Sequence, residues 1–236
     1  AKQSGIQVCN VRAYATSSVV QHVFSLLLAL NRKLAPYNRT VSDGEWSRSD
    51  YFCYFGEPIS ALEGKTMGII GYGELGQPVA KVARCFGMEV LLAERNYTNA
   101  AIVSNEGRVP LNELLSTSDV VTLHCPLTQD NHHMINGKSF ATMKNDAILI
   151  NTARGGLVDE AALLKALNEN QIAAAALDVL EQEPPSIHNA MLAYSSDKLM
   201  ITPHIAWASR ESRQRLIDQV ADNIRAYQQG SPRNLV

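Results

Sequence analysis

The sequence predicts an α/β fold: a doubly wound, mostly parallel sheet of about seven strands with helices on both faces. Three observations predict it. From residue 66 onward, short and almost continuously apolar segments alternate with helix-length segments, the pattern of parallel strands covered on both faces. A glycine-rich turn, Gly71-Tyr72-Gly73-Glu74-Leu75-Gly76, joins the first of these strands to the next helix. At three later points a strand runs directly into charged residues, where open parallel sheets meet their ligands.

The elements follow in order. Val19, Val20, Val23, Phe24, Leu27, Leu28 and Leu30 share one helix face. Ser17 or Ser18 is placed to cap that helix, which is expected to end near Ala35, before Pro36. Residues 43–55 are polar and aromatic and read as loop. Strands are predicted at 66–70, 89–93, 108–109, 119–123, 147–151, 172–178 and 199–201. Helices are predicted at 75–86, 111–115, 138–143, 159–169 and 209–228, the last stopped by Gly230 and Pro232. Residues 5–10 read as an edge-type strand with no partner before it.

Composition bounds the function. The chain has 236 residues, 46% of them hydrophobic, enough for a sizeable core. A net charge of −2 gives no reason to expect nucleic acid or an anionic membrane as partner. The apolar run at residues 23–30 is far too short to span a bilayer, and no targeting segment is visible. Cys9, Cys53, Cys85 and Cys125 are scattered, which suits buried, reduced thiols in a cytoplasmic protein. No metal site is expected, because no cluster has metal-ligand spacing. His132 and His133 read as solvent-facing, and His22 and His188 carry no pattern.

The glycine turn carries the cofactor prediction. A lone G-x-G-x-x-G is weak, but here a strand leads in, a helix leads out, and Glu94 ends the next strand at near the usual ~20-residue offset. Gly71 permits the tight turn, Gly73 leaves room for a pyrophosphate, and Gly76 lets the helix lie close to the sheet. The helix N-terminus offers unpaired N–H groups to the phosphates. Glu94 can accept hydrogen bonds from ribose hydroxyls and repels a 2′-phosphate, which favours NAD over NADP. Arg95 argues the other way. The competing reading is an ordinary glycine turn in some other α/β domain.

Arg154 follows the 147–151 strand, Glu181 and Glu183 follow the 172–178 strand, and His204 follows the 199–201 strand. The set suits reduction of a 2-oxo acid. A histidine supplies the proton for the carbonyl oxygen, a carboxylate orients the ring and favours its charged form, and an arginine grips the substrate carboxylate. His124, Cys125 and Pro126 look like a cofactor wall. Each charged residue also has a plainer reading, as a solvated loop residue or a structural histidine.

These motifs together resemble the D-2-hydroxyacid dehydrogenases. The residues carrying the resemblance are the 71–76 turn, His124-Cys125-Pro126-Leu127-Thr128, Asn151-Thr152-Ala153-Arg154-Gly155-Gly156, Leu177-Asp178-Val179 with Glu183-Pro184, and Thr202-Pro203-His204-Ile205-Ala206. The resemblance implies that Arg154 binds substrate, Glu183 rather than Glu181 pairs with the histidine, and His204 is the acid/base. It further implies that Asp178 and the backbone at Thr152 and Ala153 meet the nicotinamide end. Residues 13–19, the stretch near Trp46 and Ile205-Ala206-Trp207 are most similar to the family's glycerate dehydrogenase (hydroxypyruvate reductase) branch. That branch implies D-glycerate and hydroxypyruvate, or glyoxylate, as substrates, and a homodimer in which the 19–30 helix and the loop after it pack on the partner.

Family members begin with a substrate-binding domain that is largely missing from this sequence. Residues 1–14 then read as its last strand, 15–208 as the NAD-binding domain, and 209–236 as a helix returning to the substrate domain. Two alternatives to the enzyme stand beside it: a dinucleotide-sensing, corepressor-like binding module, and a cofactor-binding fragment inactive on its own.

Overall fold

The computed structural model describes residues 4–94 and 107–236. In chain order the elements are α1 (Thr16–Asn31), α2 (Leu34–Ser42), β1 (Thr66–Ile70), α3 (Gly76–Cys85), β2 (Glu89–Ala93), β3 (Arg108–Val109), α4 (Leu111–Thr117) and β4 (Val120–Leu123). They continue with α5 (Gly137–Thr142), β5 (Ile148–Asn151), α6 (Glu160–Asn168), β6 (Ala174–Leu177), α7 (Ala190–Ala193), β7 (Leu199–Ile201) and α8 (Arg210–Gln228). The seven strands form one sheet in the order β3-β2-β1-β4-β5-β6-β7. Every pairing among the described strands is parallel, so the expected doubly wound sheet is present.

Side chains alternate between two cores, as a period-2 strand buried on both faces must. Ile70, Val121, Leu123, Leu149, Ala175 and Leu177 face one core, with Phe140 of α5 and Leu163 and Leu167 of α6. Met67, Ile69, Val120, Ile148, Ile150, Ala174 and Ala176 face the other, with α1 and with Val79, Ala80 and Ala83 of α3. Ala174 and Ala176 are small, which gives α1 room to lie close on the sheet.

Several expectations are corrected at element ends. No serine caps α1; Ala15 precedes it without a side-chain hydrogen bond. The helix stops at Arg32, and Lys33 turns the chain with a left-handed φ of 54°. Pro36 then sits in the first turn of α2, where its missing N–H costs nothing. Residues 43–55 are loop except for a 3-10 turn at Trp46–Arg48. Residues 5–10 make no strand, only an isolated bridge between Cys9 and Leu235. The short α7 was not expected. Of the cysteines only Cys125 is buried; Cys85 is exposed, and Cys9 and Cys53 are intermediate.

The apolar face of α1 is buried in this chain's own core, with Val23 and Leu27 fully buried. It is therefore not the free surface that the homodimer expectation invoked. Among the described residues no helix is long and apolar enough to cross a membrane.

Candidate active site

Strand register builds the site. Ile70 lies level with Leu123, Leu123 with Asn151, Asn151 with Leu177, and Leu177 with Ile201. The residues that follow, Gly71, His124, Thr152, Asp178 and Thr202, therefore form one row along the carboxyl edge of the sheet. The sheet order reverses at β1, which has β2 on one side and β4 on the other. That switch point is where doubly wound sheets open a crevice.

The turn at residues 71–76 lies in the crevice. Gly71 has a φ of +99°, and a Cβ there would sit 2.5 Å from the backbone of His124 and Cys125. A Cβ on Gly76 would meet the Gly71 carbonyl oxygen at 2.0 Å. Gly73 faces open space. Tyr72 carries the Arg108 guanidinium over its ring at 5.9 Å, and Arg108 also donates to the Ala93 carbonyl. Glu74 accepts a 2.7 Å hydrogen bond from Thr16 of α1, while Leu75 precedes the first turn of α3. Glu94 follows β2, its N–H bonded to Val109. Arg95 lies outside the described residues.

At the end of β4, the Thr122 hydroxyl meets His124 Nε2 at 3.0 Å. The other ring nitrogen, Nδ1, is buried without a hydrogen-bond partner. Burial pushes the His124 pKa down to about 4, so the ring is neutral at pH 7. Cys125 is buried and Pro126 exposed; both adjoin Asn131, whose amide donates to the Pro126 carbonyl.

After β5, the Asn151 side chain accepts from the Ala153 N–H and donates to the Arg154 carbonyl. This knot presents Arg154 at the surface. Thr152 is buried with its hydroxyl unpartnered. A Cβ on Gly155 would lie 1.9 Å from the Leu180 carbonyl carbon. Only glycine lets the Arg154 loop press this closely on the loop carrying Glu183.

His204 Nδ1 stands 2.8 Å from Glu183 Oε2. The other Glu183 oxygen accepts from the Leu180 N–H, fixing the carboxylate. His204 has a left-handed φ of 52°, held because its N–H donates to the Asp178 carbonyl. Asp178 is 1% exposed. Its carboxylate accepts from Thr202 Oγ1 at 2.5 Å, from the Ile205 N–H at 2.9 Å and from the Ala206 N–H at 2.8 Å. Burial alone would raise the Asp178 pKa; hydrogen bonds from His22, Thr202, Ala206 and Ile205 outweigh it and hold the carboxyl below its ordinary range. The carboxylate thus clamps the 202–206 segment that carries His204.

Two residues were missed by sequence reasoning. His22 on α1 reaches Thr202 at 2.9 Å and Asp178 at 3.5 Å. The available signal was its place on the buried helix face, three residues after Val19. Arg108 brings a cation to the Tyr72 side of the turn, which only the pairing of β2 with β3 reveals. His132 and His133 are corrected as well. They are not simply solvated, because both rings turn to Glu181.

One cleft of about 680 Å³ joins Glu74 and Leu75 of the turn to His124, Thr152, Arg154 and His204. A dinucleotide fits this frame. Gly73 leaves the phosphate position open, and the unpartnered Thr152 hydroxyl and His124 nitrogen mark polar positions at the sheet edge. Fold and site together define a dinucleotide-binding oxidoreductase domain.

Comparison with known proteins gives the family. Residues 24–206 match the D-isomer specific 2-hydroxyacid dehydrogenase, NAD binding domain. The chain is 48% identical over its whole length to glycerate dehydrogenase of Methylorubrum extorquens, covering 73% of that protein. It is 42% identical to hydroxypyruvate reductase of Blautia hydrogenotrophica, again covering all of this chain and 73% of the relative. D-lactate dehydrogenase with NAD+ from Lactobacillus jensenii superposes with a TM-score of 0.81 at 30% identity, over 100% of this chain and 72% of that one. The chain belongs to the D-isomer specific 2-hydroxyacid dehydrogenases and is an NAD-dependent oxidoreductase of 2-hydroxy and 2-oxo acids.

Proposed function

We propose that the protein interconverts hydroxypyruvate and D-glycerate with NAD(H), using Arg154, Glu183 and His204. The observation that carries this reading is the 2.8 Å pairing of His204 Nδ1 with Glu183 at the mouth of the cleft. With Nδ1 committed to Glu183, Nε2 is the nitrogen left to give a proton to the substrate oxygen. Glu183 keeps the ring in that tautomer and offsets its charge. Arg154 is exposed beside the cleft and suits a bidentate grip on the substrate carboxylate. When bound, NADH supplies the hydride that the protein cannot. The N–H groups at the start of α3 would hold the pyrophosphate and Glu94 the adenosine ribose, with Thr152, Ala153 and Asp178 at the nicotinamide end.

The choice of substrate is supported by the names of the relatives, which include glycerate dehydrogenase, hydroxypyruvate reductase and the glyoxylate reductase of Thermococcus litoralis. The histidine held by a carboxylate, with an arginine beside the same cleft, favours an enzyme over a binding-only module. Turnover of NADH with hydroxypyruvate, glyoxylate and pyruvate tests the reading. Hydroxypyruvate is expected to give the highest kcat/KM; a preference for pyruvate would move the assignment to a lactate-type enzyme.

We also propose a homodimer. Its support is the exposed aromatic loop after α2, where Phe52 and Phe55 are each 91% exposed beside Tyr51 and Trp46.

A further inference from the structure

The expectation of no metal site rested on linear spacing, and the fold assembles a ligand set from two distant segments. His132 and His133 lie between β4 and α5, and Glu181 follows β6. His132 Nε2 is 3.0 Å and His133 Nε2 3.1 Å from the same oxygen, Glu181 Oε1. Among the described residues this is the one group of three such side chains whose ligand atoms all lie within 4.8 Å of one another. None of the three lines the catalytic cleft.

The geometry suits a shared cation. With Zn–N and Zn–O bonds of about 2.0–2.1 Å, neighbouring ligands of a tetrahedral zinc stand roughly 3.3 Å apart. The two nitrogen–oxygen separations are within a few tenths of an ångström of that edge. The imidazole rings are stacked, with centroids 3.9 Å apart. A single divalent cation at the focus holds all three ligands.

The ligands are also held in place. The His133 N–H donates to the Gly156 carbonyl, and the His133 carbonyl accepts from Asn136. Asn131 knots the preceding turn by bonding the Thr128 N–H and the Pro126 carbonyl. The Glu181 N–H is bonded to Glu160. All three side chains are solvent-accessible, so a cation has an entry path and water can complete its shell.

We propose that His132 Nε2, His133 Nε2 and Glu181 Oε1 form a binding site for Zn2+ or a similar borderline-soft divalent cation. The two-nitrogen, one-carboxylate set favours such a metal over magnesium or calcium, which take oxygen ligands. The bound cation ties the segment after β4 to the segment that carries Glu183.

Calorimetric titration of the reduced protein with ZnCl2 tests this, with the absorption spectrum of a Co2+ titration as second probe. The wild type is expected to bind one equivalent. His132→Gln, His133→Asn and Glu181→Gln should each weaken binding at least about ten-fold, the lower figure for disturbing even a supporting group of a metal site. Asparagine is chosen at residue 133 because it tolerates the left-handed backbone there (φ 51°). Glu183→Gln and Cys85→Ser should bind as the wild type does. Co2+ should show nitrogen and oxygen ligation without a thiolate charge-transfer band. Each variant's circular dichroism and metal-free melting temperature are read first, and the zinc-induced rise in melting temperature should shrink in the folded ligand variants. No binding by the wild type, full binding by all three ligand variants, loss with Cys85→Ser, or a thiolate band would overturn the proposal.

Discussion

Each polar side chain in the catalytic row takes its role from what holds it. Glu183 and Glu181 are two residues apart on the same loop, and the sequence leaves either as the partner of His204. The structure separates them: Glu183 faces His204, and Glu181 faces His132 and His133. His124 shows the opposite case, a histidine that burial keeps neutral. The unfolded chain protonates it near pH 6.5, and the folded chain only near pH 4. Its stabilising contribution is therefore present above pH 6.5 and lost as the pH falls toward 4, by roughly 3 kcal/mol in all. Asp178, whose folded pKa is lowered below 3.8, acts in the same direction at lower pH still. The urea midpoint of the wild type should fall between pH 7 and pH 4.5, and His124→Asn should flatten that slope. An unchanged slope in the variant would show that His124 is not responsible. Under the proposed function Glu94 sets the cofactor preference, so Glu94→Ala should narrow the preference for NADH over NADPH. If the wild type already binds NADPH as tightly, basic residues such as Arg108 outweigh the carboxylate.

At the scale of elements, the strands were the most legible part of the sequence. Their apolar runs are short, bounded by polar residues, and dictated by burial on two faces. The carboxyl-edge row was legible for the same reason, since Arg154, Glu183 and His204 lie within six residues of a strand's end. Helix ends were less so. Pro36 looked like a stop signal but sits in the first turn of α2, because a proline is tolerated there as readily as after a helix. What α1 packs against was also hidden, since an apolar helix face reads the same whether it meets its own sheet or a partner. His22 shows the cost, for its meaning appears only once α1 lies against β5 and β6. Close loop packing leads to a further prediction. Gly155→Ala would drive a methyl group into the Leu180 backbone, a clash worth about 1–3 kcal/mol. It should lower the melting temperature and reduce turnover by displacing Glu183, with NADH affinity less affected. Wild-type turnover in this variant would mean that the loop yields without moving Glu183.

At the scale of the molecule, one sheet edge collects the turn for the phosphates, the neutral His124, the Arg154 loop and the His204–Glu183 pair. Trp46, Tyr51, Phe52 and Phe55 do not line the cleft at that edge, and under the proposed dimer their loop is the surface offered to a second copy. Sedimentation equilibrium should give a dimer, and Phe52→Ser with Phe55→Ser should shift it toward monomer while leaving the sheet intact. A wild-type monomer at high concentration would refute the pairing. The central claim is that His204 gives the proton while other residues bind the cofactor. It is tested most directly by NADH-dependent reduction of hydroxypyruvate in the wild type and in His204→Gln, with NADH affinity measured separately by fluorescence. The account predicts a fall in turnover of about 10²–10⁴-fold, the usual worth of a general acid, with NADH affinity changed by no more than about two-fold. Near-normal turnover in His204→Gln would contradict it.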